Sequence, residues 1–367
     1  MRKTKVFHII SHFDVGGAER VALNIAKSGS EGFEYHIVEL IRAHTPFTKV
    51  FIKELEACGI KYHRGFVPEI HFHYIMERMA AVLFPLWFLP IYLKHRPDVV
   101  HSHTEMPDMA VYAFFKLFPW ALRKCKVVRT IHNTQLWTSL KKTGDRVERF
   151  FIRNNASIAI SPSVQSNYMN EYGFRAPIIY NGVSPTTQKP YPGIVEGKVN
   201  VLFAGRFELQ KGINTLIRIV ESMKKNHRYH FHIIGDGSLR QEIEDSLGSY
   251  PTVSLRPALY GLPAYLASFD YMIMPSEFEG LSIMSIEASM EGLPVIINDA
   301  PGLRDTLPEN WPLKVGSNSI EAYLRIFDEV LPRASRKALG NMSYAFVAKN
   351  FSIEEMRRRY EEVYSSN

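Results

Sequence analysis

The feature that most limits the fold of this chain is an alternation of short apolar runs with helical stretches, which occurs twice. KVFHIIS (5–11), YHIVELI (35–41), IKYHRGF (60–66), RPDVVHSH (96–103), KVVRTIHN (126–133), SIAISPS (157–163) and APIIYNGV (176–183) read as strands. Between them AERVALNIAKS sets Ala18, Val21, Ala22 and Ile25 on one helix face. FTKVFIKELEACG is helical with Gly59 as its stop, and a long helical region covers 70–95. Residues 184–198, SPTTQKPYPGIVEGK, have the polar, Pro- and Gly-rich character of a linker. The pattern then restarts with VNVLFAGR, a helix around 213–225, HFHIIG, a helix around 238–247, VSLRP, a short helix at 261–268, YMIMPS, a helix from about Leu281 to Glu291, and PVIIND. SIEEMRRRYEEVYSS closes the chain as an amphipathic helix.

Strands alternating with helices predict parallel sheets covered on both faces, here two of them. The expected architecture is α/β: two doubly wound, Rossmann-like domains facing across a cleft. Their expected bounds are 1–185, a linker at 186–198, 199–345, and a C-terminal helix at 346–367 packing back towards the first domain. In such sheets a ligand sits outside the strand C-termini, here expected between the domains.

Composition narrows the class. At 46% hydrophobic residues the chain has enough apolar surface to fold, which argues against disorder. Two cysteines, Cys58 and Cys125, allow neither a disulfide framework nor a zinc spacing, which suits a reducing cytosol. The N-terminal residues read as a first strand, not a signal peptide. The greasy run at 79–93 is shorter than the roughly 20 residues of a bilayer span and carries Pro85 and Pro90. It fits a kinked, half-buried helix or a membrane-surface contact. Charge is uneven: residues 1–185 hold 24 Lys and Arg against 15 Asp and Glu, and the rest hold 20 against 22. A basic first half suits an acidic partner such as anionic lipid or a charged glycan. Nucleic acid is disfavoured, because the aromatics are not interleaved with the cations as stacking platforms.

The chemistry concentrates in the second half. VLFAGRFELQKGINTL places Arg206 and Lys211 just past a strand end, beside Gly205 and Gly212, which suits a diphosphate or an ordinary surface loop. HIIGDGS turns at Gly235 into a helix N-terminus, whose amides would meet a base or phosphate. No GxGxxG occurs, so the dinucleotide fingerprint is missing. EFEGLSIMSIEASMEGLPVI carries Glu279 in the loop after a strand and Glu287 two turns into the following helix. Carboxylates there accept hydrogen bonds from vicinal hydroxyls, and free amides near Leu281 favour an anion.

In order, the chain carries GGAER (16–20), PDVVHSH (97–103), TIHN (130–133), AISPS (159–163), YNGV (180–183), AGRFELQKG (204–212), GDGSL (235–239), PSEFEGLSIMSIEA (275–288) and GLPVI (292–296). This set resembles the family 4 retaining glycosyltransferases of GT-B fold, over nearly the whole chain. The resemblance implies that Arg206 and Lys211 hold the donor diphosphate, that Glu279 binds the transferred sugar, and that Glu287 binds the ribose. It implies that Gly280 and the backbone amides of Leu281 and Ser282 lie at the phosphate, with Gly235 in the donor pocket. Gly16 and Gly17 would let the first domain's backbone close over the donor, and His132 would lie near the anomeric centre. His103 and Glu105 are weaker candidates on the acceptor side. The resemblance implies no cofactor and no metal, in keeping with the lack of an Asp-x-Asp motif, and front-face attack assisted by the departing diphosphate. The partners would be a nucleotide-sugar donor, a glycan or lipid-linked acceptor and an anionic membrane touched from the cytoplasmic side, in cell-surface polysaccharide assembly. An epimerase or hydrolase on the same fold, or a non-catalytic glycan or membrane binder, are the alternatives. Three positions depart from the family: LRPAL (255–259) lacks a usual glycine, Ser282 stands where glycine is usual, and Asp305 stands where Glu is commoner.

Overall fold

The computed structural model of the chain describes residues 2–14, 16–27, 29–68 and 73–366, with backbone alone at 73–75. The chain forms two compact units, Met1–Gly182 with Ile353–Asn367, and Val183–Ser352. Unit 1 runs β1 (Thr4–Ile10), α1 (Gly17–Lys27), β2 (Phe33–Glu39), α2 (Pro46–Ala57), β3 (Lys61–Arg64), α3 (His73–His95), β4 (Val99–His103), α4 (Glu105–Leu117), β5 (Lys126–Ile131), α5 (Lys141–Arg153), β6 (Ser157–Ala159) and α6 (Pro162–Tyr172). Unit 2 runs β7 (Val199–Arg206), α7 (Ile213–Ser222), β8 (Tyr229–Asp236), α8 (Arg240–Leu247), β9 (Val253–Arg256), β10 (Tyr271–Met274), α9 (Ile283–Met290), β11 (Val295–Asn298), β12 (Lys314–Val315), α10 (Ile320–Arg325) and α11 (Arg336–Asn350). The last helix, α12 (Ile353–Ser365), returns to unit 1.

Each unit holds a six-stranded parallel sheet, ordered β3-β2-β1-β4-β5-β6 and β12-β11-β10-β7-β8-β9. Counted from its own first strand, the second sheet repeats the order of the first. That order is the doubly wound one, with a switch point between the first and fourth strands. Strands covered on both faces need apolar residues throughout, which explains their unbroken runs: Val6, Phe7, Ile9 and Ile10, or Val201, Leu202, Ile233 and Ile296, are wholly buried. Gly59 takes the left-handed conformation just after α2, and Gly292 just after α9, as the sequence requires of helix stops.

Several expectations need correction. Residues 176–183 add no strand to the sheet. Pro177 has no N–H to give, and the segment makes two isolated bridges, Ile178 to Ala159 and Val183 to Ser352. Residues 184–198 are not a free linker. Lys189 N–H reaches Ala264 O at 2.6 Å and Tyr191 N–H reaches Ser268 Oγ at 2.9 Å, so this segment lies against unit 2. Residues 262–268 wind as a 3-10 helix, and the C-terminal helix starts at 353 because the chain breaks between α11 and α12. The helical region begins, where described, at residue 73; residues 70–72 lie outside the described residues. It is longer than its greasy run: Met76–His95 is long and apolar enough to cross a membrane by length and composition. One face of α3, with Ala80, Ala81, Phe84, Phe88 and Tyr92, packs into unit 1, where Phe88 and Tyr92 meet Phe114 of α4 at ring distances of 5.0 and 5.2 Å.

Candidate functional site

The second sheet's switch point lies between β7 and β10, and the loops leaving these strands carry the charged residues singled out above. Arg206 ends β7, exposed, and no acid pairs with it among the described residues. The chain then tightens into a 3-10 turn, Leu209–Lys211, closed by Gly212 at φ 69°. A Cβ on Gly212 would lie 1.9 Å from Pro275 O in the loop after β10, so only glycine lets the two loops approach. They are then stitched together: Glu277 N–H donates to Gln210 O at 2.9 Å, and Gln210 Nε2 donates to Phe278 O at 3.1 Å. This closeness brings Lys211 Nζ to Glu279 Oε1 at 2.6 Å, with Ser276 Oγ donating to the same oxygen at 2.8 Å.

The surrounding residues divide into two groups. Gly280, Leu281 and Ser282 are buried beside Glu279, and Glu287 is partly buried on α9. The amide expected of Ser282 is occupied, because it donates to Gly302 O at 3.3 Å. Ser282 is instead the N-cap of α9, its hydroxyl accepting from Ser285 N–H at 3.4 Å. The helix α9 therefore starts at Ile283, two residues later than the sequence suggested. Gly235 also changes role. It pairs with Gly205 across β7 and β8, and a Cβ there would stand 2.0 Å from Gly205 O and 2.6 Å from the Phe207 ring. Gly235 thus permits close packing of the strand ends.

In unit 1 the switch point lies between β1 and β4. Gly16 and Gly17 form the turn from β1 into α1, and nothing lies within 4 Å of a Cβ placed on Gly17. His132 follows β5, partly buried, and its Nε2 lies 3.0 Å from His103 Nδ1. His103 Nε2 in turn lies 2.9 Å from His8 Nδ1. His103 is wholly buried with both nitrogens bonded to other histidines, so it presents no atom to an acceptor. Burial pushes the His132 and His8 rings down to about 3 and the rings of His101 and His103 well below the ordinary histidine range, so all four stand neutral. Ligand nitrogens of His8, His101 and His103 lie within 4.8 Å of one another. Among the described residues five of these six nitrogens are already in hydrogen bonds, and the His101 and His103 rings lie tilted by 31° with centroids 4.2 Å apart. They form a buried polar layer, closed by Thr130 and Tyr364.

Glu105 begins α4, and burial raises its carboxyl. Its Oε1 accepts from the N–H of Trp137, a residue held at φ 55°. The Trp137 indole donates to Glu148 Oε1 at 2.7 Å, and Glu148 and Asp108 both clasp the buried Arg129 guanidinium. This network pins the loop after His132, where Thr134, Gln135, Trp137, Thr138, Lys141 and Glu171 line a cavity of about 330 Å³. Sequence reasoning missed the network. Its signal was Arg129 inside the apolar run KVVRTI, since a charge within a buried strand requires buried partners.

Known proteins of this kind share both halves. The profile described as Glycosyltransferase Family 4 matches residues 15–187, and that of Glycosyl transferases group 1 matches residues 198–331. A 41.2 kDa protein in the cps region of Klebsiella pneumoniae is 28% identical over 232 residues, 58% of this chain and 63% of that protein. The O-antigen biosynthesis glycosyltransferase WclY of Escherichia coli is 21% identical over 308 residues, 74% of this chain and 80% of that one. The crystal structure of Anabaena HepE in complex with UDP and glucose superposes with a TM-score of 0.78 at 18% identity, over 99% of this chain and all of that one, which shows the shared GT-B fold. With the two profiles covering residues 15–331 apart from 188–197, the chain belongs to the group 1, family 4 glycosyltransferases.

Proposed function

We propose that this glycosyltransferase moves a hexose, with retention and without a metal, from a nucleoside diphosphate donor to a glycan or lipid-linked glycan of the cell surface. The observation that carries this reading is the meeting of Lys211 and Glu279 at the switch point of the second sheet, with Arg206 at the end of β7. Two cations suit a diphosphate leaving group, because charge develops on it as the glycosidic bond breaks. A carboxylate whose second oxygen, Oε2, has no hydrogen bond among the described residues suits the hydroxyls of the sugar. Neutral His132 suits a hydrogen-bonding role near the reacting sugar and not that of a general base, since it resists protonation. The cavity after His132, with hydroxyl, amide and charged groups around it, suits a polar acceptor. A UDP complex of a protein of this fold, and relatives in capsule-region and O-antigen biosynthesis, support the donor class and the pathway. The outer face of α3 and the cations around it support a place on the cytoplasmic surface of an anionic membrane.

The test is thermal unfolding of wild type and Arg206→Ala with UDP-, GDP- and ADP-sugars. A ligand at a hundredfold excess over Kd stabilises by about 2.7 kcal/mol. A shift with one nucleotide class, lost in the variant, is the expected outcome. Wild type unmoved by every donor would remove the donor assignment. Incubating that donor without acceptor then separates transfer from epimerisation or hydrolysis, which would alter or release the sugar unaided.

A further inference from the structure

The two charged groups proposed for the adjoining diphosphate and sugar of the donor are, in the ligand-free protein, bound to each other. Lys211 Nζ donates to Glu279 Oε1 at 2.6 Å, in a site that leaves the two side chains 19% and 8% exposed. Their backbones are fixed. Lys211 precedes Gly212, which is wedged against Pro275 O. Glu279 N–H donates to Pro301 O at 2.9 Å, and Gly302 at φ 75° lies so close that a Cβ would stand 2.0 Å from Glu279 O. Any exchange of partners therefore falls to side-chain rotation. Ser276 Oγ keeps one hydrogen bond on Glu279 through that exchange, but that single hydroxyl does not by itself replace an ammonium.

We infer that Lys211 and Glu279 form a latch that makes the site select an intact nucleoside diphosphate sugar over the nucleoside diphosphate alone. The inference rests on the donor site proposed above. A bare diphosphate draws the Lys211 ammonium away and leaves Glu279, a nearly buried carboxylate, without its cation. A diphosphate that carries a sugar brings several hydroxyl donors, which together satisfy Glu279 at the vacated Oε1 and at Oε2, unbonded among the described residues. Phosphate and sugar recognition are thereby coupled, and loss of the sugar after transfer lets the pair re-form as the nucleotide departs. Product release is favoured by the same contact that holds the empty site.

The experiment is a double-mutant cycle on the full chain, read by calorimetric titration with UDP, GDP and ADP. Its members are wild type, Glu279→Gln, Lys211→Met and the double variant. Gln keeps a hydrogen-bond acceptor for Ser276 and Met keeps the apolar stem of Lys211, and matching thermal unfolding of all four establishes that each is folded. With Lys211 present, Glu279→Gln is expected to tighten binding of the bare nucleoside diphosphate by about tenfold, a coupling of about 1.4 kcal/mol. In the Lys211→Met background the same change is expected to alter affinity by less than about twofold. Equal tightening in both backgrounds would mean that Glu279 merely repels the phosphates, and would overturn the latch while leaving the donor site standing. No tightening in Glu279→Gln, in a wild type that binds, would also overturn it. Failure of all three nucleotides to bind wild type would remove the donor site and the latch with it.

Discussion

Gly212 shows how one missing methyl group positions a site. Its φ of 69° is costly for other residues, and the space its Cβ would need is filled by Pro275 O at 1.9 Å. Gly261 has a similar φ of 76° but nothing within 4 Å. The pair separates backbone strain from collision. Gly261→Ala is expected to cost about 1 kcal/mol in urea unfolding, the strain alone. Gly212→Ala is expected to cost at least about 3 kcal/mol, because the loops after β7 and β10 must also part. Equal losses would mean that the loops yield freely. Activity tests the side chains these loops carry: Lys211→Ala is expected to lower kcat by about 10²-fold or more with the fold intact, as loss of one preorganised charge does. Near-normal turnover would remove Lys211 from the reaction. The sequence already put Arg206 at a strand end and Lys211 and Glu279 in loops after strands, and the structure keeps those places because they follow from local residue type and spacing. It misplaced Ser282 and Gly235, because which carbonyl takes an amide, and which backbone fills a gap, depends on segments distant in the chain such as Gly302 and Phe207.

On the scale of elements, β1, β4 and β5 bring His8, His101, His103 and His132 into one layer, to which α12 adds two hydroxyls. Tyr364 OH meets His101 Nδ1 at 2.7 Å, and Tyr360 OH meets Thr130 Oγ1 at 2.8 Å. Each strand was readable from its own residues, as HSH and TIHN suggest, but the layer was not, since its cover comes from more than 200 positions away in the chain. The layer predicts how stability responds to acid. These rings stay neutral in the fold but gain protons in the unfolded chain below about pH 6.5. The unfolded state then binds more protons, so stability is full above that pH and is lost as pH falls towards 3. Each ring contributes up to about 1.4 kcal/mol per pH unit. Asp108 acts the other way. Desolvation raises its carboxyl to about 7, so its contribution is present below about pH 4 and is lost as pH rises through 7. Four rings outweigh two carboxyls, Asp108 and the likewise raised Glu105, and stability is expected to fall by several kcal/mol between pH 6.5 and 4.5. His8→Asn, whose amide can still meet His103, is expected to reduce that slope by about one proton. Urea unfolding across this range measures both, and a flat profile would mean that the layer is hydrated.

The molecule as a whole is electrically lopsided. Unit 1 carries 27 Lys and Arg against 19 Asp and Glu, and unit 2 carries 17 against 18. The excess coincides with the one long apolar helix found among the described residues. Opposite the packed face of α3, Met79, Val82, Leu86 and Leu93 are 45%, 67%, 65% and 52% exposed. At about 100° per residue these four fall within about 60° of arc, a continuous apolar stripe. Leu117 and Trp120 add to the exposed apolar surface, and Trp120 lies 5.9 Å from the Tyr92 ring of α3. Exposed Arg78, Lys94, Arg96, Lys116, Arg123 and Lys124 stand beside these residues in the chain. Length alone would let α3 cross a bilayer, but pulling it out would uncover Phe84, Phe88 and Tyr92 and the core they fill. Lying on a bilayer surface would keep both faces apolar-matched and put the cations at headgroup depth, where each would contribute about 1 kcal/mol on anionic lipid. The full chain is therefore expected to sediment with vesicles containing phosphatidylglycerol and not with pure phosphatidylcholine. Raising the salt from 0.1 to 0.5 M is expected to release it, because exposed charges are screened within a few ångströms. Leu86→Glu, at an exposed position that the core does not use, is expected to weaken sedimentation without lowering the unfolding temperature. Equal binding to neutral vesicles, or binding indifferent to Leu86→Glu, would mean that this face meets something other than an anionic bilayer.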